Sequence, residues 1–188
     1  MLITIFTIAA RLYPQQVIFI RHAEKDGDLV HLSDIGRQRA KDLPIYFDKM
    51  KIYPSVFIAM KQKSFTSSNR PFETLLPLAN YHKQQIINDY KSEEYKKVYI
   101  LVNHPKYTDK TVVVCWAHDN LVKLAKLFGV AIRKWDKNDY TSLWRLENTF
   151  DNFKCKLRIR QYKMFTIDNH KINYSHIHVP IKDEWILA

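Results

Sequence analysis

Short, wholly apolar runs alternate along the chain with segments whose apolar positions recur at helical spacing. Val17-Ile18-Phe19-Ile20, Val56-Phe57-Ile58-Ala59, Val98 to Val102 and Val112 to Trp116 are four such runs. A run with no polar face predicts a strand covered on both sides. Between the runs, Ile35, Ala40, Leu43 and Phe47 follow a candidate N-cap at Ser33. Phe72, Leu75, Leu76 and Ala79 share one face of a helix opened by Asn69 and Pro71. Leu121, Leu124, Ala125 and Phe128 form a third stripe, stopped by Gly129. This β-α-β-α succession predicts a three-layer α/β/α sandwich with a mainly parallel central sheet.

The last forty residues change period. Phe153, Cys155, Leu157 and Ile159 alternate with Lys154, Lys156, Arg158 and Arg160, which predicts a strand with one apolar and one basic face. A turn at Asp168-Asn169 would return it along Ile172 to Val179 as an antiparallel ribbon at the sheet edge. No linker separates this extension from residues 15–148. The whole chain of 188 residues reads as one domain with a carboxyl-terminal ribbon.

Composition narrows the chemistry. Only three glycines are present, and neither a dinucleotide-binding fingerprint nor a P-loop can be written with them. The two cysteines, Cys115 and Cys155, make no disulfide framework or zinc finger, and Cys115 sits in an apolar run as an inert thiol. A net charge of +11 favours anionic partners: phosphorylated small molecules, phosphoproteins, nucleic acid or an acidic membrane surface. The apolar stretch Leu2 to Ala10 is too short to span a bilayer. It reads either as a lead-in to the core, which favours the cytoplasm, or as a signal remnant of a secreted protein.

Two histidines close buried strands. Arg21-His22-Ala23-Glu24 follows the first run, and His118-Asp119 follows the fourth, where a helix beginning near Asn120 offers its amides to an anion. Ligands of open α/β sheets bind at such strand ends. An arginine, a histidine and a second histidine so placed describe an anion site that contains a nucleophile.

These residues, taken with Leu32-Ser33-x-x-Gly36-x-x-x-Ala40 and Arg70-x-x-x-Thr74, resemble the motifs of the histidine phosphatase superfamily, in order, over residues 15–148. The resemblance extends to Trp135 and the Asp139-Tyr140 pair. It implies a phosphoglycerate mutase-like fold and a phosphomonoester hydrolase in which His22 becomes transiently phosphorylated. Arg21 and Arg70 would clamp the phosphate, and His118 would donate to it. These four side chains would supply the positive field without a metal. For the leaving-group proton, the acid-phosphatase branch implies Asp119, while the mutase-like branch implies Asp89, Glu93 or Glu94. Two features depart from the pattern: Ala117 replaces a common glycine, and the stretch Met60 to Ser68 is longer than usual.

Other readings stay open at this level. The basic strand with Tyr162 and Phe165 would suit a non-catalytic protein that binds phosphate groups or single-stranded nucleic acid. A phosphoglycerate mutase-type phosphotransferase is a narrower alternative, though no clear insertion would hold a glycerate carboxylate. His176-Ile177-His178 places two rings on one strand face, with no further ligand nearby to make a metal site.

Overall fold

The computed structural model describes residues 14–25, 27, 30–130, 134–151, 154–164, 166–168, 171–173 and 180–186. For 148–151, 154–159, 163 and everything from 166 onward the backbone alone is described. The Leu2–Ala10 run, Phe165 and His176-Ile177-His178 lie outside these residues.

Three of the four apolar runs form strands in the parallel half of the sheet. Strands β1 (Gln16–Arg21), β2 (Val56–Ala59) and β4 (Thr111–Trp116) are joined by a two-residue strand β3 (Ile86–Ile87), in the order β3-β2-β4-β1. All three pairings are parallel. Alternate side chains of each strand enter opposite cores. Val17, Phe19, Val112, Val114 and Trp116 pack under helices α3 (Tyr95–Val102) and α4 (His118–Leu127). Ile18, Ile20, Val113 and Cys115 pack under α1 (Asp34–Lys49) and α2 (Arg70–Tyr81). Helices on both faces make the sheet the middle of three layers. Cys115 is fully buried, and its burial pushes the thiol pKa well up, which fits an inert thiol.

Val98 to Val102 is helical, contrary to the strand expected there. Val98 and Val102 are fully buried while Ile100 is exposed, so the run presents a helix stripe. The carboxyl-terminal ribbon also differs in its partners. Strand β5 (Ser142–Asp151) runs antiparallel beside β1, and β6 (Lys154–Lys163) pairs with β5 along its whole length. The other edge of β6 pairs with β9 (Pro180–Ile186). Asp168 does pair with Lys171, but as part of a separate two-stranded antiparallel sheet of β7 (Thr166–Asp168) and β8 (Lys171–Asn173). The ribbon thus extends the central sheet to seven strands, parallel on one side of β1 and antiparallel on the other.

Helix α1 approaches the loop after β1 more closely than any side chain would permit. Its N-cap Ser33 accepts from the amide of Gly36, and the Ser33 amide donates to the Glu24 carbonyl at 2.9 Å. A Cβ on Gly36 would stand 2.3 Å from that same carbonyl oxygen. The Ser33-x-x-Gly36 pattern is therefore a packing requirement. Gly36→Ala would gain about 1 kcal/mol of helix propensity, yet it must push back the backbone at Glu24, a strain of about 1–3 kcal/mol. Urea unfolding should show a net loss of stability, while Lys41→Ala on the exposed side of α1 should stay within about 0.5 kcal/mol of the parent.

Candidate functional site

The carboxyl ends of β1, β2 and β4 open onto one edge of the sheet, and the predicted site residues stand along it. Arg21 is the last residue of β1, Arg70 the first of α2, and His118 the first of α4, two residues earlier than its sequence pattern indicates. Ala117 takes the N-cap position at φ −70°, an ordinary conformation that makes no demand for glycine. It has no polar side chain to cap the helix, so the amides of the first turn face the site with their partial positive charge.

His22 is buried, and its Nδ1 lies 2.7 Å from the Ala23 carbonyl oxygen. A carbonyl only accepts, so Nδ1 carries the proton and Nε2 keeps a lone pair. Burial, then the charges of Arg70, Arg21 and Arg39, push the imidazole pKa down to about 3. The ring is neutral through the physiological range. Arg21 donates to the Lys137 carbonyl, and its guanidinium carbon lies 3.9 Å above the ring of Tyr140. Arg70 donates from Nε to Ser68 Oγ at 2.8 Å.

Thr74 explains why an arginine and a threonine recur four residues apart. Its hydroxyl donates to the Arg70 carbonyl one turn back and accepts from the Ala23 amide, both at 2.8 Å. One side chain thereby ties the backbone after His22 to the helix turn that carries Arg70.

The His118 ring is pushed below the usual histidine pKa by partial burial and by Arg21. Its Nε2 lies 3.2 Å from Asp119 Oδ1, and Asp119 itself is largely exposed. The other carboxylates considered from sequence are differently engaged. Glu93 pairs with Lys63 at 2.9 Å, Glu94 pairs with Lys97 and accepts from the Lys91 amide, and Asp89 is exposed. The loop that bears them does border the site edge, because Ser92 accepts hydrogen bonds from Trp116 Nε1 and Asn120 Nδ2. The long Met60–Ser68 stretch is a braced loop in which Ser67 Oγ accepts from the Lys63 and Ser64 amides.

Arg39 is the residue that the motif reading passed over. It is fully buried in α1, donates from Nη2 to the His22 carbonyl at 3.3 Å, and places Nε 2.9 Å from Glu24 Oε2. Glu24 thus forms a salt bridge that holds a third guanidinium behind the imidazole. Among the described residues no group of three His, Cys, Asp or Glu side chains gathers as metal ligands. No helix among them is long and apolar enough to cross a membrane.

No protein-family model matches the chain, and no curated protein matches it in sequence. Its backbone does superpose on solved structures. A mycobacterial glucosyl-3-phosphoglycerate phosphatase aligns at TM-score 0.52 with 12% identity, covering 79% of this chain and 97% of that one. The protein histidine phosphatase SixA, solved with tungstate, aligns at 0.55 with 13% identity over 79% and 97%. The phosphoglycerate mutase of Plasmodium falciparum aligns at 0.55 with 12% identity over 92% and 99%. This is a phosphoglycerate mutase-like fold. At such identities the likeness establishes the phosphoglycerate mutase-like architecture and nothing finer.

Two outcomes follow from the geometry. Arg39→Met leaves Glu24 without its cation, and breaking a buried pair from one side should cost about 3–5 kcal/mol in denaturant unfolding. Adding Glu24→Gln should recover part of that loss. The second concerns pH. His22 titrates near 6.5 when unfolded and near 3 when folded, so between those values the unfolded state binds more protons. Its contribution should make stability fall as pH drops from 6.5 toward 3, by up to about 1.4 kcal/mol per pH unit. His22→Asn should flatten that slope, and ring NMR shifts should report a neutral His22 at pH 5.

Proposed function

We propose that the protein is a phosphomonoester hydrolase working through phosphorylated His22. The observation that carries this reading is a neutral, oriented imidazole in a field of three guanidinium groups, with its Nε2 lone pair unblocked by a proton. A neutral nucleophile in a cationic pocket suits attack on a dianionic ester, because the clamp draws in the phosphate without silencing the base. That the fold relatives include a glucosyl-3-phosphoglycerate phosphatase and a protein histidine phosphatase supports the same class of reaction.

In this mechanism Arg21 and Arg70 grip the equatorial oxygens, and His118 donates a further hydrogen bond. The Nε2 lone pair attacks phosphorus in line, the P–O ester bond breaks, and the leaving alkoxide takes a proton from the Asp119 carboxyl. Water then attacks the phosphohistidine, gives its proton back to the Asp119 carboxylate, and the P–N bond breaks to release phosphate and neutral His22. Asp119 is assigned the proton because it adjoins His118 and its charge acts on Arg21, whereas Glu93 and Glu94 are committed to lysines. No step calls on a metal. The substrate is a phosphorylated small molecule or a phosphoprotein.

Hydrolysis of an aryl phosphate between pH 4 and 8, with chelator present, tests the assignment. His22→Ala should abolish activity, and Arg21→Met or Arg70→Met should lower kcat/KM by a factor of about 100 or more, matching the loss of a charge-assisted clamp. Asp119→Asn should impair alkyl phosphates far more than aryl phosphates, whose leaving groups depart without a proton. Wild-type activity in His22→Ala would end the phosphohistidine reading.

A further inference from the structure

A groove of about 420 Å³ runs from Asp119 along α4, lined by Val122, Lys123, Lys126, Lys134 and Trp135. Val122 and Trp135 are buried and form an apolar floor, while the three lysines are exposed along the rim. The groove meets the candidate phosphate site at Asp119. One wall is α4, whose first residues are His118 and Asp119. The other is the segment from Lys134 to Tyr140, which supplies the Lys137 carbonyl and the Tyr140 ring to Arg21. A hydrogen bond of 2.8 Å from Trp135 Nε1 to the Asp139 carbonyl holds that segment folded.

From these walls we infer that the substrate is a doubly anionic small molecule, its ester phosphate at His22 and its second anionic group between Lys126 and Lys134. This deepens the proposed phosphatase reading and rests on it. The chemistry sets the length. The lysines that could hold the second anion stand farther down the helix than Asp119, which occupies the near end of the groove. Asp119 and Lys126 are two turns apart, about 10 Å along the axis. Lys123 lies between them, with its Nζ 5.8 Å from the centre of the Tyr95 ring. The apolar floor suits a hydrocarbon or ring spacer, and the volume falls within the range of small-molecule sites.

A series of alkanediol bisphosphates of increasing chain length, each paired with the alkyl monophosphate, reads this directly. We expect kcat/KM for the bisphosphates to rise to a maximum at one chain length, by about tenfold over the monophosphates, as three weak exposed ion pairs allow. Lys123→Gln/Lys126→Gln/Lys134→Gln should erase that advantage while leaving aryl phosphate hydrolysis unchanged. A flat length profile, or a maximum that survives in the triple variant, would overturn the inference. So would a lysine-dependent preference for acidic phosphopeptides over every bisphosphate, which would assign the groove to a protein substrate. If neither class of phosphate is hydrolysed, the phosphatase reading fails. The groove is then tested alone, by calorimetric binding of the same bisphosphates to His22→Ala with and without the triple substitution. Binding weakened about tenfold by the substitution upholds the groove, and equal binding removes it.

Discussion

Three guanidinium groups press on one imidazole, and much of the site's architecture serves to hold that repulsion in place. Burying like charges together is unfavourable unless each finds a partner. Arg39 has Glu24, Arg21 has the Lys137 carbonyl and the face of Tyr140, and Arg70 has Ser68. Each partner comes from a different part of the chain, so the charge cluster dictates which loops must meet. The same repulsion acts on His22. The surrounding cations, added to burial, keep its ring neutral, and the Ala23 carbonyl decides which nitrogen bears the proton. A field that favours an anion and an imidazole that stays unprotonated are two results of one arrangement.

The backbone constraints follow from it. Glu24 can reach Arg39 only if α1 lies against the loop after β1, and Gly36 permits that approach. Thr74 fastens the same loop to α2 from the other side. The spacings Ser33-x-x-Gly36 and Arg70-x-x-x-Thr74 are therefore the traces in sequence of two contacts with the few residues following His22.

This is why so much of the site was legible before the fold. Strand-end polar residues such as His22 and His118 announce themselves against apolar runs, and the parallel half of the sheet is written in those runs. Each misread part has its own physical cause. Val98 to Val102 is apolar throughout, so its period is hidden, and only Tyr95 and Tyr99 on the same turns mark it as a helix. Strand β3 is two residues long and leaves no pattern at all. The partner of β6 is a long-range choice among several β-prone segments, which local sequence does not make. Arg39 was hidden by its own type. It falls four residues before Leu43 on the buried stripe of α1, and an arginine there is a signal only when the stripe is read for what violates it.

The segment from Lys134 to Ser142 links that charged centre to the groove along α4. The Asp139 carboxylate accepts from the amides of Thr141 and Ser142, and the Asp139 carbonyl accepts from Trp135. Its negative charge also supports the cationic form of Arg21. Asp139 therefore fixes the turn that delivers the Lys137 carbonyl and Tyr140 to Arg21, and it fixes Trp135 as the floor beside α4. One turn sets both the position of Arg21 and the shape of the surface next to it. Changes along the exposed rim at Lys123, Lys126 or Lys134 leave that turn intact, so the fold can alter the groove without disturbing the charged centre.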